Sequence, residues 1–314
     1  MFDHKPSIIP YKNFDLKLDV SNLKEALDLS LHSELIRIIN LEYNRLYKKD
    51  LKIVLEKKLS GNFKKLMISL FEHPAVFDAH VIYKQGSHTR GFPTLTEIFL
   101  TRTNQEIEEI AQAFHLVRET RMPSRQNDSL YDYMCRFDAD KLSVAKLVEV
   151  HRDESLLMNR TRAMEDARRL IDALNTPDAE KVLTEIFTKT NLVQLKLIFK
   201  NFYEQSGNSI GQILNSVFVR AGSMIDFART TIDITQDRLK YFSDKLDSHM
   251  RGAGTTDIEL IRIVVGYAER NLESIREEFD RRHPEESLVG WISEDTSGSF
   301  RDALIALIKG NRNQ

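Results

Sequence analysis

Along this chain the apolar residues recur at helical spacing. Ile107, Ile110 and Phe114 fall three and then four residues apart, as do Leu195, Ile198 and Phe202, and Leu272, Ile275 and Phe279. That spacing lays one apolar stripe on one helix face. Each stripe follows a compact apolar block, and the blocks repeat. Leu95-Thr96-Glu97-Ile98-Phe99 recurs letter for letter as Leu183-Thr184-Glu185-Ile186-Phe187. Leu35-Ile36-Arg37-Ile38-Ile39 and Leu260-Ile261-Arg262-Ile263-Val264 are the outer copies. Four copies at a period of several tens of residues imply an all-α chain of stacked helical units, none able to bury its apolar stripe alone.

The intervals between copies are uneven. The second is the longest, with extra polar residues from Arg121 to Asp128 that include Pro123 and read as a loop. A second linker is expected from about His151 to Arg162, separating the first two units from the last two.

Composition narrows the picture. Only 12 Gly and 7 Pro among 314 residues suit a helical chain. A formal net charge of −2 argues against a protein that holds nucleic acid by bulk charge. The single cysteine, Cys135, excludes an intramolecular disulfide and fits a reducing compartment. Met1 to Pro10 has no apolar core and does not read as a secretory signal. No apolar run approaches the roughly 20 residues that span a bilayer. The expected location is cytoplasmic, with any membrane role peripheral.

Two separated loops carry the candidate chemistry. Met250-Arg251-Gly252-Ala253-Gly254-Thr255 places two glycines one residue apart, a spacing that can aim successive carbonyls at one point. Asp295-Thr296-Ser297-Gly298 supplies a carboxylate. The carbonyls of Met250, Gly252 and Gly254, with a bidentate Asp295, would provide most of the six to eight oxygens a calcium ion takes. Water or a ligand phosphate would complete the shell. Asp295 also has a plainer reading, as the cap of the helix that the Phe300, Leu304, Leu307 and Ile308 stripe predicts.

Other motifs carry less. The nine histidines form no HxxxH pair and no cluster with cysteine. Cys135 stands in no nucleophile motif and is expected as a core or semi-buried thiol. Asp138-Ala139-Asp140 opens like a calcium loop but lacks the glycine and terminal glutamate of an EF-hand. Lys48-Lys49-Asp50 and Arg168-Arg169 read as solvated helix faces, and Trp291 as a core anchor. With no phosphate loop, nucleophile elbow or acid–base pair, the sequence does not read as an enzyme.

From end to end the fourth unit resembles an annexin repeat. Met-Arg-Gly-Ala-Gly-Thr-Thr-Asp, Leu-Ile-Arg-Ile-Val-Val, Leu-Glu-Ser-Ile-Arg-Glu-Glu-Phe and Asp-Thr-Ser-Gly-Ser-Phe carry the likeness. The other units resemble it in their apolar skeleton, and Leu59-Ser60-Gly61-Asn62-Phe63 looks like the corresponding helix start in the first. The divergence resembles that of the alpha-giardins, protist annexins. The resemblance implies four repeats of five helices in a slightly curved disc, covering 15–80, 81–155, 156–235 and 236–314 after a tail at 1–14. It implies a convex face that carries calcium loops and meets anionic phospholipid at the inner side of the plasma membrane.

The units keep the pattern unequally. The fourth has all four ligands. The first has Leu29-Ser30-Leu31-His32-Ser33 in place of a glycine loop and Lys58 at its carboxylate position, where the positive charge would repel a cation. The third has a shortened loop, Asn175-Thr176-Pro177-Asp178, and a second loop, Val219-Arg220-Ala221-Gly222, without an acid. In the second, Gly86, His88 and Asp138 form a candidate second metal site. The expected function is calcium-dependent peripheral binding to anionic phospholipid, Ca²⁺ bridging protein and headgroup. Cytoskeletal proteins and glycosaminoglycans are further candidate partners. The alternative is a structural scaffold with largely vestigial calcium binding.

Overall fold

A computed structural model describes residues 33–86, 92–121, 129–136, 142–149, 151–217, 222–250 and 257–310. Among these, every regular element is a helix, 18 in all. The first three are α1 (Ser33–Tyr47), α2 (Leu51–Lys58) and α3 (Gly61–Leu70). Next come α4 (Pro74–Gly86), α5 (Phe92–Thr101), α6 (Asn104–Arg121), α7 (Leu130–Arg136) and α8 (Leu142–Glu149). Then follow α9 (Arg160–Ala173), α10 (Ala179–Lys189), α11 (Leu192–Ser206), α12 (Ile210–Val217) and α13 (Gly222–Gln236). The last are α14 (Arg238–Met250), α15 (Asp257–Ala268), α16 (Leu272–Arg282), α17 (Leu288–Asp295) and α18 (Gly298–Lys309). Short polar side chains start several of them: Asp50, Asn159, Asn191 and Ser287 each accept a first-turn backbone N–H.

The chain forms two compact units, one made of Asp78–Arg238 and the other of Met1–Phe77 with Leu239–Gln314. In the continuous unit, α5 packs on α13 and α8 on α10, a reciprocal exchange between its two halves. The apolar stripes fill it: Ile110, Phe114, Leu195, Ile198 and Phe202 are almost wholly buried. Phe187 touches Phe199 and Phe227 at ring-centroid distances of 5.4 and 6.2 Å. In the discontinuous unit, α3 packs against α15 and α18 around Leu66, Leu260, Leu304 and Ile308.

A buried ion pair ties α4 to the end of α5. The Arg102 guanidinium donates to both oxygens of Asp78, at 2.7 and 3.1 Å, with both side chains almost fully enclosed. Arg152 then closes the carboxyl end of α5, donating to the carbonyls of Phe99 and Arg102 at 3.4 and 3.1 Å. Burial, and after it the charge of Arg238, brings the Arg152 guanidinium down to about 10.

The segment around Arg152 is the non-helical connection expected there, but it does not divide the chain into two bodies. Residues 151–159 are not helical, but they lie inside the continuous unit and fasten its halves together. Asn104 exchanges two hydrogen bonds with the Arg152 backbone, at 3.2 and 2.8 Å. Gln194 does the same with Asn159, at 2.8 and 2.9 Å, and Asn191 donates to Asp153 and to the Leu157 carbonyl. Side-chain amides stand in for the secondary structure the segment lacks. The strap ends at Asn159, because Arg160 and Arg162 already belong to α9. Of the loop expected at Arg121–Asp128, Arg121 is the last residue of α6 and the rest lies outside the described residues.

Of the two basic runs, Arg168-Arg169 lies exposed on α9 as expected and Lys48-Lys49 does not lie on a helix. Lys48 and Lys49 follow α1 in a turn, where Lys48 takes a φ of 53°, instead of lying on a helix face. Arg169 is paired with Asp166 and Glu185 at 2.9 and 3.1 Å, while Arg168 is solvated.

Gly86, a residue of the candidate second site, has a packing role. A Cβ there would meet the Tyr133 ring at 2.6 Å. Tyr133 cannot easily swing away, since its hydroxyl donates to the Tyr83 carbonyl at 2.8 Å and its ring lies 4.8 Å from that of Phe114. Burial pushes its phenol up to about 12. Gly86→Ala is therefore expected to cost about 1–3 kcal/mol by overpacking, read as a lower urea midpoint. An unchanged midpoint would contradict the contact.

Candidate cation site

Two of the four residues expected to hold a cation are described. Met250 ends α14, its side chain buried. Carbonyls in the last turn of a helix have no partner within that helix, so the Met250 oxygen belongs to a set of acceptors at the α14 end. Gly252 and Gly254 lie outside the described residues. Asp295 ends α17 and is exposed.

His283 links the last turns of α14 and α17. Its Nε2 lies 3.8 Å from Asp247, one turn before Met250. Its ring lies 5.3 Å from that of Trp291, one turn before Asp295. Trp291 also stands edge-on to Phe279 at 5.5 Å, an anchor that is half-buried. A backbone carbonyl at one helix end and a carboxylate at the other are the hard oxygen donors calcium takes.

Ser297 occupies the cap position of α18, and Gly298 opens the helix with a φ of 60°. The Thr296 hydroxyl donates back to the Ile292 carbonyl at 2.6 Å, closing α17. Asp295 stands two residues before the cap position.

The same turn occurs between α2 and α3. Ser60 (φ −140°, ψ 169°) and Gly61 (φ 62°) repeat the backbone of Ser297 (φ −144°, ψ 163°) and Gly298. Glycine is called for at both, since L side chains rarely take that φ. Lys58, the last residue of α2, therefore stands where Asp295 stands, as the sequence leads one to expect.

Beyond the glycine loop, α15 begins at Asp257, and a residue the sequence did not single out meets it there. The Asn62 amide donates to the Asp257 carboxylate, and Lys65 donates to the Asn62 carbonyl oxygen at 2.9 Å. No local pattern marks this contact, because its partners lie far apart in sequence. Glu259, nearby on α15, accepts from Arg262 at 2.7 Å. Burial acts to raise its carboxyl, but the Arg262 guanidinium holds it below the ordinary range.

Of the candidate second site, His88 and Asp138 lie outside the described residues, as do Asp140 and residues 29–32 of the first unit. In the third unit, Asn175-Thr176-Pro177-Asp178 forms a tight turn in which Thr176 accepts from Asp178 and Ala179. Gly222 opens α13, and Val219–Ala221 lie outside the described residues. Cys135 is half-buried beside Tyr131. Among the described residues there is no cluster of three or more His, Cys, Asp or Glu side chains that could hold a metal, and no helix long and apolar enough to cross a membrane.

Residues 241–307 match the annexin family model. Human annexin A13 is 30% identical over 276 residues, 86% of this chain and 84% of that protein. The chain belongs to the annexin family. A solved structure of annexin III superposes with a TM-score of 0.86 at 27% identity, covering 98% of this annexin and 97% of that chain. The calcium-bound structure of alpha-14 giardin has the same fold, with a TM-score of 0.73 at 16% identity over 94% of this annexin and 100% of that chain. Annexins as a class bind phospholipid in a calcium-dependent manner, associate with membranes peripherally and are generally not enzymes.

Proposed function

We propose that this annexin binds anionic phospholipid through one calcium loop, in which the Met250, Gly252 and Gly254 carbonyls and the Asp295 carboxylate hold the ion. The observation that carries the reading is the bridge through His283, which draws together the ends of α14 and α17. Three neutral carbonyls and one carboxylate leave a bound dication with net positive charge, which suits a lipid phosphate. Asp295 is exposed, so its oxygens can face a headgroup. With one carboxylate, affinity in solution falls at the weak end of calcium sites, on the order of 10⁻⁴ M. Calcium-bound alpha-14 giardin lends support on the same fold. Division into 15–80, 81–155, 156–235 and 236–314 goes with this reading. It is supported by the successive groups of five helices, α4–α8, α9–α13 and α14–α18, the first of which reaches back to Pro74.

Co-sedimentation with phosphatidylserine vesicles at about 0.15 M salt, where the Debye length is about 8 Å, tests the reading. Binding is expected with calcium and release with chelator. A single loop lacks the effective-concentration gain of several linked sites, so the calcium requirement should be high. Tight binding in chelator would count against the calcium reading and point to a basic surface, and no response to calcium at all would favour a scaffold whose calcium loop is vestigial.

A further inference from the structure

Between α2 and α3 the Ser-Gly turn that follows Asp295 is repeated, with Lys58 in place of the acid. Lys57 and Lys58 end α2, Lys65 follows on α3, and all three are exposed. From Leu51 to Leu70 the chain holds five lysines and one acid, Glu56. Lys52 is paired with Glu72, but Lys57, Lys58 and Lys64 have no acidic partner among the described residues. The first turn of α3 has no acidic residue, and the Ser60 side chain makes no cap bond, so its leading N–H groups face the same turn.

This lysine turn is tied to the start of α15 within one compact unit. The Asn62 amide joins Lys65 to Asp257, the residue at which α15 leaves the glycine loop. α3 also packs against α15 and against α18, the helix that follows Asp295.

We propose that the turn from Lys57 to Gly61 is a calcium-independent contact for the phosphate groups of an anionic phospholipid surface. Here the lysine ammonium groups supply the positive charge that a bound ion supplies at Asp295. A compact ammonium on a flexible stem suits a phosphate whose position varies. The inference rests on the reading that Asp295 faces anionic lipid, and extends it to a second, permanent cation.

The test uses the full chain and vesicles of phosphatidylserine with phosphatidylcholine, in chelator, at about 0.02 M salt, where screening is weak. The Asp295→Ala variant is expected to keep a weak, salt-sensitive partition into these vesicles and none into phosphatidylcholine alone. Adding Lys57→Gln and Lys58→Gln should lower that partition about 25-fold, at roughly fivefold per lysine near an anionic surface. Lys189→Gln with Lys196→Gln removes the same charge from the other unit and should change it less than about twofold. An equal loss in that control, or no loss on removing Lys57 and Lys58, overturns the proposal. So does displacement by millimolar inorganic phosphate, which would make the turn a free-phosphate site. If Asp295→Ala shows no partition in chelator while the unmodified chain binds on adding calcium, the lysine contact falls and the calcium reading stands. If only the lysine variants lose binding and calcium has no effect, the calcium reading falls and the lysine contact stands.

Discussion

Asp295→Ala is expected to remove measurable calcium binding in titration calorimetry. The other three proposed ligands are backbone carbonyls, so Asp295 contributes the whole formal charge facing the ion. Losing a contact between a carboxylate and a dication costs several kcal/mol even at surface-like dielectric. About 2.8 kcal/mol is a hundredfold, enough to move a site near 10⁻⁴ M out of range. Neighbouring acids cannot replace it: Glu294 is one residue out of frame and Glu259 is engaged by Arg262. Because Asp295 is exposed, the variant should keep its helical circular dichroism. Unchanged affinity would place the ion elsewhere, with Asp138 the next residue to replace.

The other large effect concerns stability. Asp78→Ala should destabilise the protein by about 3–5 kcal/mol, because it leaves the buried Arg102 guanidinium without its carboxylate. The double variant Asp78→Leu, Arg102→Met removes both charges and should be close to neutral, since well-packed apolar residues often replace a buried pair at little cost. Urea unfolding followed by circular dichroism reads both. If the double variant is as damaged as Asp78→Ala, the damage comes from lost packing and not from an orphaned charge.

The helical stripes were legible because burial obeys periodicity. The predicted residues Ile110, Phe114, Leu195, Phe202, Leu272 and Phe279 all lie in the interior. The two Leu-Thr-Glu-Ile-Phe blocks mark the limit of that legibility. Glu97 is fully buried, whereas Glu185 reaches out to Arg169 at 3.1 Å. Identical letters take different environments because the neighbour that decides the matter comes from another helix. The fastening of the strap escaped the sequence for a related reason. Its polar composition reads as loose chain, and the Asn104 and Gln194 amides that fasten it carry no periodic signature. Lys58 and Asp295 could be matched from sequence because Ser-Gly follows two residues later in both, and glycine there answers a backbone requirement. Asp78 and Arg102 gave no such signal; a buried ion pair shows itself only when the helices are packed.

The discontinuous unit has a kinetic consequence. Asp78–Arg238 can complete its core as it leaves the ribosome, but α3 is made early and packs against helices made last. Apolar residues such as Leu66 must wait, unburied, for α15 and α18. Contacts that span so much sequence are slow to form, and waiting apolar surface is prone to aggregate. The lysines of α2 and α3 lie close to that waiting surface in the chain, and charge flanking an apolar segment opposes its aggregation.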